Sequence, residues 1–161
     1  MRTSKGNTRE LPFPGGAFRP RDEGDRGRVL VECSDPALAW VVEERLVEEG
    51  YDAVSCWGPT RGGGAGCPLL CGKGCPLVES ADVIVQSIPF SQRKTFPILE
   101  AVREAVPQTP VCVEVAEPSR WKLGEALAGC AIIDLPMTTD RLLAAVDGCT
   151  RHQALGGLAL D

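Results

Sequence analysis

Apolar residues along this chain fall into five short continuous runs, at residues 28–33, 51–56, 81–88, 110–115 and 131–135. Between them lie segments whose apolar positions recur three and four apart. Short unbroken runs predict buried strands, and the wider spacing predicts amphipathic helices. The first helix opens at Pro36 behind Asp35, whose side chain suits an N-cap. Leu38, Val41, Val42 and Leu46 are expected on its inner face, and Gly50 ends it. Further helices are expected over residues 96–105 and 119–128. A last one has Asp140 near its start, with Leu142, Leu143 and Val146 turned inward.

Apolar strands alternating with helices predict a parallel sheet covered on both faces. Right-handed crossovers then give an α/β fold, a five-stranded doubly wound parallel sheet of flavodoxin-like type. Sites in such sheets gather at the carboxyl ends of the strands. That rim would hold residues 33–35, the segment from Cys56 to Cys75, residues 87–89 and residues 115–117.

One inter-strand segment breaks the rhythm. Residues 58–80 contain seven glycines, three prolines and three cysteines where a helix should connect the second and third strands. Each interior Gly costs a helix about 1 kcal/mol and each Pro about 3. The segment therefore reads as a Cys/Gly-rich loop, with room for one short turn from Pro76 through Val78 to Ser80. Gly66-Cys67-Pro68-Leu69 recurs as Gly74-Cys75-Pro76-Leu77, so each sulfur is followed by a fixed backbone and an apolar anchor.

Cys56, Cys67, Cys71 and Cys75 are the candidate metal ligands, because thiolates are soft ligands and redox centres. Their spacing of ten, three and three intervening residues matches neither a zinc knuckle nor an iron–sulfur template outright. Zn2+, an iron–sulfur cluster, a reversible thiol switch and an inert loop all remain open. Ordering the nine residues from 58 to 66 costs on the order of 10 kcal/mol. Structural zinc supplies about 10–16 kcal/mol, whereas a short-loop disulfide supplies about 2–4, which favours a metal. The other cysteines, Cys33, Cys112, Cys130 and Cys149, sit in or beside apolar runs or a helix and read as small buried hydrophobes or inert thiols.

Composition narrows the rest. Residues 1–27 hold six Lys or Arg against four acids, and residues 28–161 hold eleven against eighteen. An acidic domain repels phosphate backbones, which argues against direct nucleic-acid binding. No apolar stretch approaches the roughly 20 residues of a membrane span, and the N-terminus lacks an apolar secretion core. A cytoplasmic protein without a membrane partner is expected. Residues 1–27 read as a disordered arm, 28–150 as the domain with its insert at 56–80, and 151–161 as a tail carrying the lone His152. No triad, metalloprotease motif or phosphate loop is present, so an enzyme is not expected.

Over residues 28–147 the chain resembles the receiver domain of bacterial response regulators. The matching segments are R-V-L-V-E-C-S-D-P-A-L-A, E-E-G-Y-D-A-V, A-D-V-I-V-Q-S-I-P and L-P-M-T-T-D-R-L-L-A-A-V. The resemblance implies an acidic magnesium-holding pair, a phosphate-accepting Asp, a hydroxyl and a Lys before Pro. At those places this chain has Cys33-Ser34, Ser87, Val115 and Leu135. The resemblance thus implies a pseudo-receiver that signals through another protein, with no Mg2+ phosphorylation site.

Overall fold

The computed structural model describes residues 16–88 and 96–156. Five strands, β1 (Arg28–Cys33), β2 (Asp52–Cys56), β3 (Val83–Ser87), β4 (Val111–Val115) and β5 (Ala131–Asp134), form one parallel sheet in the order β2-β1-β3-β4-β5. The expected fold class is the observed one. Every strand runs the same way, so Cys33, Cys56, Ser87, Val115 and Asp134 end on one rim.

Alternation along the strands divides the interior into two cores. Val29, Val31, Cys33, Val83, Val85 and Cys112 meet one pair of helices, α1 (Pro36–Glu48) and α5 (Thr139–Gly156). Leu30, Val54, Cys56, Ile84 and Val113 face the other way, onto α2 (Pro76–Ser80) and α3 (Phe96–Ala105). Burying such a side chain stabilises by about 1.5–3 kcal/mol, so both faces are firmly covered.

Asp35 caps α1 by accepting from the Ala37 N–H at 2.9 Å, and Pro36 occupies the first turn. The buried stripe of α1 is Ala39, Val42 and Leu46. Leu38 and Val41, expected inside, are 39% and 47% exposed. The stripe rotates because the small Ala39 lets the helix sit close to the sheet, and Leu38 is turned outward. A helix expected over 119–128 instead runs as α4 (Glu117–Lys122), followed by turns through Gly124. Pro118 in the first turn favours the earlier start, and Gly124 disfavours continuation.

The arm expected over 1–27 and the tail expected over 151–161 reach outside the described residues, as does Pro89. From Gly16 to Gly27 the chain has no helix or strand but is tied to the amino end of the sheet. Arg19 N–H donates to the buried Asp52 carboxylate at 2.9 Å, and Arg21 pairs with Asp82 at 2.9 Å. At the other end, α5 continues through Gly156 and carries an exposed His152.

Candidate functional site

Two groups of side chains stand at or beneath the carboxyl rim, one on each side of the sheet. The first lies at the ends of β1 and β3. Cys33 is in register with Ser87, and the Ser34 N–H donates to the Ser87 carbonyl at 3.4 Å. The Ser87 hydroxyl donates to the Glu114 carboxylate on β4. The Cys33 thiol donates to the Asp35 carbonyl at 3.3 Å. Burial pushes the Cys33 thiol above its ordinary range, so it stays protonated. Asp35, adjacent to this group, spends its carboxylate on the α1 cap.

The second group lies under the connection between β2 and β3. That connection holds a 3₁₀ turn at Arg61–Gly64 and the five-residue α2, with irregular backbone between them. Each of its limbs is held by turns of its own. The Arg61 N–H donates to the Trp57 carbonyl, and the Cys71 N–H donates to the carbonyls of Cys67 and Pro68. Gly64 has a φ of +95°, and a Cβ there would lie 2.7 Å from Leu70 Cδ1. Only a glycine lets the loop close over that leucine.

Three of the four candidate ligands converge on one core. Cys56, Cys67 and Cys75 are buried in the cluster that contains Leu77, Val78 and Ile84. Cys71 is exposed, its thiol 3.9 Å from the Ala65 carbonyl. No three metal-ligating side chains are close enough to hold an ion among the described residues. Burial pushes the Cys56 thiol up to about 12, although the Gly58 N–H at 3.4 Å partly favours its thiolate. Burial also raises Cys67 and Cys75, and the nearby Glu32 carboxylate opposes a second negative charge at each sulfur.

Glu32 and Gln86 are members of this group that the strand pattern does not announce. Both are inside the sheet, 2% and 0% exposed, on the face that carries Cys56. Gln86 Nε2 donates to Glu32 Oε2 at 2.7 Å, while Gln86 Oε1 has no partner. Burial raises the Glu32 carboxyl to about 7, and the Gln86 hydrogen bond offsets part of that rise. The signal available in sequence was their parity: each sits two residues from an apolar position on the same strand face.

No protein-family model matches the chain, and no curated protein matches it. Solved structures do. A response regulator receiver domain protein from Clostridium thermocellum superposes with a TM-score of 0.63 at 15% identity, covering 80% of this chain and 98% of that one. A Francisella response regulator receiver domain gives 0.58 at 21% identity, covering 79% and 98%. The signal receiver domain of an HD domain-containing protein from Pseudomonas fluorescens gives 0.61 at 15% identity, covering 89% and 100%. Each match covers nearly the full length of the receiver. The chain has the fold of a response regulator receiver domain.

Proposed function

We propose that this chain is a regulatory module that acts through contacts with another protein and is not switched by aspartyl phosphorylation. The carrying observation is the composition of the rim where β1 and β3 end. The magnesium ion that the receiver fold implies is not fitted by the residues there. Cys33 and Ser34 supply no carboxylate, Asp35 is engaged by the Ala37 N–H, and Glu114 is engaged by Ser87. Magnesium demands an octahedral shell of hard oxygen ligands. Ser87 stands where the resemblance requires the phosphate-accepting Asp.

Incubation with acetyl phosphate and Mg2+ is therefore expected to leave the mass of the protein unchanged. An acid-labile adduct of one phosphoryl group on any rim residue overturns this reading.

A second reading is favoured by the burial of Cys56, Cys67 and Cys75 within the same core. In it the sheet is a platform for a zinc ion or an iron–sulfur cluster, and Cys71 is drawn inward on binding. A bound cation would offset the mutual opposition of Glu32 and the three thiols by lowering all their proton affinities. Anaerobically purified protein should then contain zinc, or iron and sulfide. Substituting Cys67 and Cys75 with Ser should remove that metal and raise hydrogen exchange across residues 57–80. Equal metal content and equal exchange in wild type and the double variant rule this reading out.

A further inference from the structure

Two thiols in neither group described above lie against each other. Cys112 Sγ on β4 and Cys149 Sγ on α5 lie 3.6 Å apart, in van der Waals contact, although 37 residues separate them in sequence. Cys112 is completely buried, and Cys149 is half-buried. Cys149 also lines a cavity of about 980 Å³ between α5 and the β4–β5 side of the sheet. Ala131, Ala144, Ala145 and Gly148 give that cavity small walls, and Cys130 and His152 border it. One sulfur of the pair is thus reachable from the cavity, and the other waits behind it.

We propose that Cys112 and Cys149 form a reversible disulfide by exchange with a low-molecular-weight disulfide, pinning α5 to the sheet. This inference does not depend on the phosphorylation or metal readings. The two thiols differ in the way such an exchange needs. Cys149 borders the cavity while Cys112 is sealed behind it, and their contact favours the thiolate at Cys149 over one at Cys112. Thiolate is the attacking form, so Cys149 is the entry point.

In the first step the Cys149 thiolate, having lost its proton to solvent, attacks one sulfur of the small disulfide. A mixed disulfide forms at Cys149 and one small thiolate leaves. In the second step Cys112 transfers its proton to that thiolate or to water and attacks Cys149 Sγ. The Cys112–Cys149 bond forms and the second small thiolate departs. The protein loses two electrons and two protons, and one small disulfide becomes two thiols. Contact at 3.6 Å leaves only a small approach before the sulfurs bond, so neither β4 nor α5 has to unfold.

The test uses full-length protein equilibrated with oxidised glutathione in increasing excess over reduced glutathione. Samples are quenched in acid, alkylated in denaturant and mapped by peptide mass spectrometry. The expected result is a linked peptide pair containing Cys112 and Cys149, with two glutathione equivalents reduced per chain. C112S should stop at a glutathione adduct on Cys149, C149S should leave Cys112 alkylatable, and C130S should form the linked pair as wild type does. Should either variant fail to fold, the wild-type map alone decides. The proposal is overturned if Cys112 and Cys149 stay alkylatable while other cysteines are blocked. It is overturned equally if the first linked pair joins Cys56, Cys67, Cys71 or Cys75.

Discussion

The amide nitrogen of Gln86 donates to the Glu32 carboxyl at 2.7 Å across the β1–β3 seam, and both side chains are sealed inside the sheet. A carboxylate in that position has lost its water and gained one hydrogen bond. It faces Gln86 and the thiols of Cys56, Cys67 and Cys75, with no cation among the groups that perturb it. Its neutral form is therefore favoured.

This predicts an unusual pH profile of stability. The Glu32 carboxyl is raised from 4.5 to about 7 on folding. Above 4.5 the unfolded chain releases this proton while the folded chain keeps it. The stabilising contribution is thus full below pH 4.5, declines from there to about 7, and levels off above. The span amounts to about 3 kcal/mol. Glu32→Gln should match wild type near pH 4.5 and exceed it by about that amount at pH 8, measured by urea unfolding. Parallel profiles for the two proteins would show that Glu32 titrates normally.

The cysteine loop should be more sensitive at Gly64 than at Gly72. Both have positive φ, +95° and +71°, so either alanine incurs about 1–2 kcal/mol of backbone strain. At Gly72 no atom obstructs a Cβ, whereas at Gly64 the Leu70 methyl is 2.7 Å away. Gly72→Ala is expected to cost about 1 kcal/mol and Gly64→Ala about 2–4, because the leucine must also move. Equal losses in thermal or urea unfolding would contradict the close approach.

A third prediction concerns the anchor of α5. Tyr51 is 1% exposed, its hydroxyl donates to Asp147, and Arg26 pairs with the same carboxylate at 2.9 Å. The Arg26 guanidinium also lies 4.9 Å from the Tyr51 ring centre. Tyr51→Phe keeps the ring and removes one hydrogen bond to a charged acceptor, an expected loss of about 1–3 kcal/mol. In an Asp147→Ala background the same change should cost much less. Additive losses in this double-mutant cycle would mean the hydroxyl contributes nothing through Asp147.

The order of strands and helices was legible because each strand is a short, mostly apolar run and the longer helices carry a three–four spacing. Pro76–Ser80 was legible as a short turn because the glycines before it exclude anything longer. The inner face of α1 was not, since Ala39 and Leu38 compete for it and only packing against β1 and β2 decides. At the rim, Cys33 and Ser87 were readable from their places at the carboxyl ends of strands. Glu32 and Gln86 were hidden because a polar residue inside an apolar run shows no periodicity of its own. The Cys112–Cys149 contact joins β4 to a helix 37 residues later, a distance that local pattern does not span.

The division of the interior by the sheet has a chemical consequence for these sulfurs. Thiol exchange requires one sulfur to touch another, and a hydrogen-bonded layer of backbone lies between Cys112 on one face and Cys56, Cys67 and Cys75 on the other. Five paired strands act as a septum. While the sheet is intact, a thiol modified on one side has no direct route of exchange to a thiol among those on the other.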